Sequence, residues 1–101
     1  MILFYIVCKN KKEASLISKG LLDKKLVACT NYFDINSMYT WKKKIANGKE
    51  CALIAKTTEK NKKSIEKEVL KMHSYSVPCI LSFEANANRA YLKWLENQVK
   101  K

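Results

Sequence analysis

The sequence predicts an α+β sandwich in which the whole chain, residues 1–101, forms one domain. A chain of 101 residues is long enough for one modest hydrophobic core and too short for two. Hydrophobic residues make up 48% of it and charged residues 29%, as in globular domains, and 2 Gly and 1 Pro leave little room for a linker. Apolar runs with strand composition alternate along the chain with stretches of helical periodicity, which predicts mixed α and β structure.

The first quarter of the chain predicts a strand followed by a helix. Residues 2–8 (ILFYIVC) are all apolar or aromatic, too short a run for an ordinary buried helix and rich in strand formers. Residues 11–25 carry apolar side chains at helical spacing with lysines between them, and Asn10 precedes them as a candidate N-cap. We therefore expect a central strand with an amphipathic helix packed on one side of the sheet.

The middle of the chain predicts a β-hairpin. Residues 26–41 return to strand composition, and the polar segment Asp34-Ile35-Asn36 predicts a bulge or bend within them. Residues 50–58 (ECALIAKTT) predict the next strand. The connecting turn is either at residues 42–44 or at Asn47-Gly48, which is a favoured type I′ dipeptide, and the pattern alone leaves both open.

The last third of the chain predicts a helix, a strand and a second helix. Residues 61–72 place Ile65 and Val69 on one helical face, residues 79–84 (CILSFE) form a short strand, and Asn88 begins a terminal helix. The resulting order, β-α-β-β-α-β plus a helix, is the ferredoxin-like pattern. Right-handed crossovers place both main helices on one face of a four-stranded antiparallel sheet, and the other face is left bare.

The bare face of this predicted sheet is itself apolar. Both faces of the first strand carry only apolar or aromatic side chains, namely Ile2, Phe4 and Ile6 on one and Leu3, Tyr5 and Val7 on the other. A large exposed apolar patch is unusual on a monomer and marks an interface. The sequence therefore predicts self-association.

Three other protein classes with this element order are disfavoured. An RNA-recognition module needs aromatic side chains on the third strand for base stacking, and CALIAKTT has none. An acylphosphatase needs an arginine after the first strand, where this chain has Lys9-Asn10-Lys11-Lys12. A heavy-metal-associated copper carrier needs a CxxC motif there, which does not follow Cys8.

The net charge of +11 does not by itself identify a partner. Nineteen of the twenty basic residues are lysines and only Arg89 is an arginine, whereas specific recognition of phosphates and bases relies on the arginine fork. We interpret the charge as a solvated lysine-rich surface. It predicts weak, salt-dependent RNA binding at most, and no specific nucleic-acid partner.

The four cysteines, Cys8, Cys29, Cys51 and Cys79, lie in four different apolar runs and form no CxxC or CxxxC pair. This spacing disfavours a structural zinc site and a disulfide framework, and it predicts reduced thiols in the cytoplasm. Cys8 and Cys51 are interpreted as core residues. No apolar run reaches the roughly 18 residues that a membrane span requires, so no span is predicted.

Six stretches of the chain resemble the CutA family, in the same order and with the family's spacing. They are the ILFY start, LVACTNY at 26–32, SMYTW at 37–41, KTT at 56–58, HSYSVP at 73–78 and NRAYLKWL at 88–95. The resemblance implies a homotrimer with the sheets facing inward, a fold related to the PII signalling proteins, and a link to tolerance of copper and other divalent metals. It also implies that the protein is not an enzyme, and it places the hairpin turn near residues 42–44, which leaves Asn47-Gly48 as a bulge.

The resemblance and ligand chemistry together define the candidate metal ligands Cys29, His73 and Cys79. Copper and zinc prefer thiolate and imidazole ligands. The family usually carries glutamates where this chain has Ser76 and Cys79, so a carboxylate ligand does not carry over. The second and fourth strands of a ferredoxin-like sheet are opposite edges, so Cys29 and Cys79 are expected to meet only across two subunits. The predicted site is therefore a copper or other divalent-cation site between subunits.

A second set of residues predicts an alternative function. Trp41, Lys56 and Tyr75 are expected to line a cleft between subunits, in which Lys56 supplies positive charge for an anionic ligand. In this alternative the protein is a PII-like sensor of a small anionic metabolite or nucleotide. The long effector loop expected of such a sensor is missing from the sequence.

Overall fold

The computed structural model describes residues 1–101 and confirms the predicted order of helices and strands. The strands are β1 (Ile2–Cys8), β2 (Cys29–Trp41), β3 (Lys44–Thr57) and β4 (Ile80–Glu84). The helices are α1 (Lys11–Asp23), α2 (Lys62–Met72), which follows a single 3₁₀ turn (Glu59–Asn61), and α3 (Arg89–Gln98). None of these helices is long and apolar enough to cross a membrane.

The four strands form one antiparallel sheet in the order β2-β3-β1-β4, which is the ferredoxin-like topology. Alternate residues of β1 are buried, because Ile2, Phe4, Ile6 and Cys8 point into a core shared with α1 and α2. The residues between them are only half-buried and point to the opposite face. The predicted position of both main helices on one face is therefore confirmed.

The ends of α1 follow from local chemistry. Asn10 is the N-cap, as predicted, and its side-chain oxygen accepts a hydrogen bond from the Glu13 backbone N–H at 2.9 Å. The helix ends at Asp23, two residues before the predicted end, since Lys25 adopts a left-handed conformation with φ of 56°. The Leu26 N–H then bonds back to the Leu21 carbonyl at 3.0 Å. Leu26 is buried but lies outside β2, so this strand starts three residues later than predicted.

The hairpin of β2 and β3 corrects two predictions. Pairing runs without interruption from Cys29 opposite Lys56 to Trp41 opposite Lys44, so the bulge predicted at Asp34-Ile35-Asn36 is wrong. Asn47-Gly48 forms neither a turn nor a bulge, since both residues pair regularly with β2. Beyond Asp34 the two strands extend past β1 as a ribbon with no sheet neighbour, where polar side chains reach water without distorting the backbone.

The hairpin turn lies at Lys42-Lys43, within the segment that the resemblance indicated. Both residues have positive φ, 49° and 66°, as a two-residue type I′ turn requires. Glycine and asparagine adopt this conformation readily, whereas in lysine the close approach of Cβ to the backbone makes it energetically unfavourable.

Replacing Lys43 with Gly is therefore expected to raise the free energy of unfolding by up to about 1 kcal/mol. The matched control is Lys44→Gly, which changes the same residue type at the first position of β3 and is expected to lower stability. Chemical denaturation of both variants at one protein concentration measures the difference. A stability loss for Lys43→Gly equal to that of the control would contradict the turn assignment.

Candidate functional site

Cys29 and Cys79, two of the predicted metal ligands, lie at opposite edges of the sheet. Cys29 is the first residue of the outer strand β2 and is half-buried. Cys79 immediately precedes the other outer strand, β4, and is exposed. The strand order therefore keeps the two thiols apart within one subunit, as the sequence predicted.

Both thiols lie on the face of the sheet that α1 and α2 leave uncovered. Cys29 pairs with Lys56, which in turn pairs with Leu3. The Cys79 carbonyl accepts a hydrogen bond from the Val7 N–H at 3.2 Å, which continues the pairing of β1 with β4. Directly paired residues on neighbouring strands point to the same face of the sheet, so Cys29 shares the face of Leu3 and Cys79 shares the face of Val7. Leu3 and Val7 alternate along β1 with the residues that point into the buried core.

This uncovered face is apolar along most of its length. Tyr5 at its centre pairs with Ile54 on one side and Leu81 on the other. Leu81 and Phe83 of β4 are 54% and 52% exposed. Of the large apolar side chains exposed on the hairpin ribbon, Tyr39 and Trp41 lie on this face, whereas Met38 and Ile45 lie on the opposite one. An apolar surface of this extent is typical of an interface.

His73, the third predicted metal ligand, lies inside the subunit. It is the C-cap of α2, and its side chain is fully buried. Its Nε2 is 2.7 Å from the Val7 carbonyl oxygen, which only accepts hydrogen bonds, so Nε2 carries the proton. In the neutral ring Nδ1 is then an acceptor, and it receives the Tyr75 backbone N–H at 3.1 Å.

The residues next to the His73 ring are Cys8 and Glu13. The Cys8 sulfur, a Glu13 carboxylate oxygen and a ring nitrogen of His73 all lie within 4.8 Å of one another. Sequence reasoning interpreted Cys8 as core and did not single out Glu13. The spacing of Asn10 and Glu13, the cap position and the third residue of the helix, is the signal that predicts Glu13 near the end of β1.

The Glu13 carboxylate joins three segments of the chain. One of its oxygens accepts the Lys9 N–H at 2.7 Å and the other accepts the Ser74 N–H at 3.0 Å. Burial raises the pKa of Glu13, but these hydrogen bonds and the nearby His73 outweigh burial, so the pKa is lowered overall. Burial, with a further contribution from Glu13, raises the pKa of the Cys8 thiol to about 12. In the absence of a cation the site therefore holds a carboxylate and a neutral thiol.

The predicted ligand cleft is not formed within one subunit. Trp41 is exposed at the tip of the hairpin and pairs with Lys44, which lies at the opposite end of β3 from Lys56. Two ends of an extended strand of this length are roughly 40 Å apart. The Lys56 ammonium lies 5.6 Å from the centre of the Tyr91 ring and 4.0 Å from the Cys29 sulfur.

Tyr75, the third residue of the predicted cleft, belongs to the environment of His73. Its hydroxyl donates to a Glu50 carboxylate oxygen at 2.7 Å, and the centre of its ring is 4.8 Å from that of His73. Burial and the bond to the Glu50 carboxylate both raise the pKa of the Tyr75 hydroxyl. Tyr75 therefore remains a neutral hydrogen-bond donor that fixes the loop after α2 to β3.

Comparison with known proteins identifies the family. Residues 2–98 match the model of the family described as CutA1 divalent ion tolerance protein. The divalent-cation tolerance protein CutA of Thermotoga maritima is 41% identical over 100 residues, which cover 98% of this chain and 99% of the relative. That of Archaeoglobus fulgidus is 38% identical over 97 residues and 95% of each chain.

Solved structures of such proteins have the same fold as this chain. The crystal structure of CutA1 from Pyrococcus horikoshii superposes with a TM-score of 0.95 at 32% identity, with all of both chains covered. The structure described as the periplasmic divalent cation tolerance protein CutA from Archaeoglobus fulgidus gives 0.95 at 37% identity, covering 99% of this chain and 100% of the other. The chain therefore belongs to the CutA1 family of divalent ion tolerance proteins.

Proposed function

We propose that this protein is a non-enzymatic homotrimer that supports divalent-cation tolerance by binding copper, or another thiophilic divalent cation, between subunits. The observation that carries the proposal is the position of Cys29 and Cys79. These thiols reach the same uncovered face of the sheet but lie at its two opposite edges. Two subunits that join edge to edge bring one thiol of each kind to a common boundary.

A ring of subunits follows from the use of two different edges. A contact of the β2 edge of one subunit with the β4 edge of the next is heterologous, and such contacts form a closed assembly only as a ring. The resemblance to the CutA family supports a ring of three subunits. Closure of the ring covers the apolar face around Tyr5, which is otherwise exposed to water.

The chemistry of the two thiols selects the cation. Thiolates favour copper and zinc over magnesium and calcium, which prefer oxygen ligands. All four cysteines are free, which suits the reducing cytoplasm in which we propose the protein acts.

The boundary site that we propose does not use His73, the third ligand predicted from the sequence. Its ring nitrogens are bonded to Val7 and Tyr75 inside the subunit, and its side chain has no exposed surface. To join Cys29 and Cys79 it would have to break both bonds. The boundary site that we propose therefore rests on the two thiols, with water or groups of the adjacent subunit completing the coordination.

The anion-sensing alternative has weaker support in the structure. Its three residues, Trp41, Lys56 and Tyr75, occupy distant regions of the subunit. The Lys56 ammonium is already in contact with Tyr91 and Cys29. An anionic ligand would compete with both contacts, so we place this function second.

Copper binding to the double variant Cys29→Ser, Cys79→Ser tests the proposal. The variant is expected to lose the boundary site while remaining trimeric, because serine differs from cysteine by a single atom at two surface-accessible positions. Calorimetry with copper under anaerobic conditions measures affinity and stoichiometry. The matched control is Cys51→Ser, which changes a buried thiol of the core and is expected to retain the boundary site. Equal copper binding by the double variant and the unmodified protein would refute the boundary site.

A further inference from the structure

The ribbon of β2 and β3 that extends beyond β1 carries a cluster of lysines at its end. Lys42 and Lys43 form the turn, Lys44 is the first residue of β3, and Lys49 lies further along that strand. All nine acidic residues of the chain lie outside residues 35–49, and none of these four lysines forms an ion pair within the subunit. The ribbon therefore presents positive charge that no side chain of the subunit neutralises.

Two exposed aliphatic side chains lie beside these lysines. Met38 and Ile45 are each 72% exposed, and they lie on the face of the ribbon that continues the helix-covered side of the sheet. Met38 pairs with Asn47 and Ile45 pairs with Thr40, so Met38 and Ile45 are diagonal neighbours on that face. In the proposed trimer the sheets turn their other face inward, so Met38 and Ile45 remain on the outside.

The turn conformation is unfavourable for the two residues that form it. Lys42 and Lys43 have φ of 49° and 66°, a region in which asparagine and glycine are preferred. Neither side chain forms an ion pair in the subunit that would offset this cost. Residues held in unfavourable backbone conformations are concentrated at functional positions. The two lysines are therefore candidates for a contact with a partner outside the subunit.

The side chains at the end of the ribbon favour a lipid surface over a nucleic acid as that partner. Proteins that bind single-stranded nucleic acids combine basic groups with aromatic side chains on which bases stack. The aromatic residues of the ribbon, Tyr39 and Trp41, lie on the face that turns inward in the proposed trimer. The outward face offers Met38 and Ile45, and aliphatic side chains among lysines are typical of segments that lie in a membrane interface.

We propose that the hairpin tip, defined as residues 42–45 with Met38, docks on a membrane surface rich in anionic phospholipids, as the cytoplasmic leaflet is. The lysine ammonium groups bind the lipid phosphates, and Ile45 enters the headgroup layer. Ile45 follows Lys43 by two residues, which is roughly 7 Å along a strand. The headgroup layer is roughly 5 to 7 Å thick, so a tip that reaches the hydrocarbon carries Ile45 into this layer.

Three-fold symmetry strengthens the docking, and this step rests on the trimer of the proposed function. A three-fold axis places the three tips at the same height along the axis, so one flat surface perpendicular to it meets all three. Each lysine near an anionic membrane surface raises the affinity about fivefold. Simultaneous contact of three tips multiplies single contacts that are weak by themselves. The attachment is expected to be reversible and to weaken as salt screens the lysines.

Flotation of the protein with lipid vesicles tests the inference. Vesicles of phosphatidylglycerol and phosphatidylcholine are expected to bind the protein at low salt, and vesicles of phosphatidylcholine alone are not. The double variant Lys42→Asn, Lys43→Gly removes two charges and gives the turn its preferred residues, so it is expected to fold at least as stably. We expect it to bind the anionic vesicles about twentyfold more weakly. The matched control is Lys63→Gln, Lys67→Gln, which changes the net charge equally at exposed positions of α2 and is expected to bind within about threefold of the unmodified protein.

A second variant measures the apolar part of the contact. Ile45→Thr keeps a β-branched residue in the strand and is expected to reduce the vesicle binding that persists at high salt, because this part does not depend on charge. The control is Val77→Thr, which makes a similar change at a side chain that is 87% exposed in the loop before β4. The control is expected to bind vesicles as the unmodified protein does.

Three results would overturn the inference. The first is equal binding of anionic vesicles by Lys42→Asn, Lys43→Gly and by its control. The second is tighter binding to single-stranded RNA than to the vesicles, lost in the same variant, which would assign the tip to a nucleic acid. The third is a change in subunit number of this variant in sedimentation velocity, which would assign the tip to contacts between copies of the chain. Copper binding by the variant is expected to be unchanged, so failure of the vesicle test would leave the proposed function standing.

Discussion

Replacing Tyr5 with Asp is expected to convert the proposed trimer into a monomer. Tyr5 lies at the centre of the uncovered face, between its neighbours Ile54 and Leu81. In an assembly with the sheets facing inward, the new carboxylate would be buried without a partner in every subunit. An unpaired buried charge costs on the order of several kcal/mol, which is enough to prevent association.

Sedimentation velocity of Tyr5→Asp at micromolar concentration measures this effect. The matched control is Leu16→Asp, which places the same charge on the exposed side of α1, where Leu16 is 60% exposed. The control is expected to remain trimeric. A trimeric Tyr5→Asp variant would show that the uncovered face is not the interface.

Replacing Glu13 with Ala is expected to lower the free energy of unfolding by about 3 kcal/mol. The carboxylate accepts hydrogen bonds from Lys9 and Ser74, and its loss leaves both N–H groups without this partner. The connections of β1 to α1 and of α2 to β4 weaken together, because both are fixed to this one side chain. Glu66→Ala, on the exposed surface of α2, is the control and is expected to change stability by less than about 0.5 kcal/mol.

The contribution of Glu13 to the free energy of unfolding is expected to decrease at acid pH. The folded-state pKa of Glu13 is lowered relative to the ordinary value of 4.5. The stability that the Glu13 carboxylate gives the folded protein is therefore fully present above pH 4.5. It is lost as the pH falls through the lower pKa of the folded state. The stability difference between the wild-type protein and Glu13→Gln should shrink between neutral pH and acid pH. A difference that stays constant over the titration would contradict the proposed role of the carboxylate.

The features predicted correctly from sequence depend on local pattern. The uninterrupted apolar run of β1 indicated a central strand, and β1 does pair with β3 on one side and β4 on the other. The helical spacing of Ile65 and Val69 identified the buried side of α2. Asn10 was predicted as a cap because its chemistry acts on a backbone N–H only three residues away.

The features that sequence did not predict depend on tertiary context. The segment Asp34-Ile35-Asn36 suggested a bulge because the sequence does not reveal that the hairpin extends beyond β1, where polar residues need no distortion. Likewise, Asn47-Gly48 has turn chemistry, but Lys42-Lys43 forms the turn. The uninterrupted pairing of β2 with β3 offsets the cost of two left-handed lysines.

Only part of the candidate site was predicted, because the rest of it also depends on tertiary context. The strand order was sufficient to place Cys29 and Cys79 at opposite edges. The environment of His73 was not predictable, because it depends on the ends of β1, α1 and α2 meeting at one point. Residues 8, 13 and 73 are distant in sequence, and no local spacing motif connects all three.

Native mass spectrometry of the purified protein during a copper titration tests the central claim most directly, since it reports subunit number and bound metal together. The account predicts a complex of three chains that takes up copper, with fewer ions bound when Cys29 and Cys79 are both replaced by serine. A monomer at micromolar concentration, or a trimer that binds no copper, would contradict it.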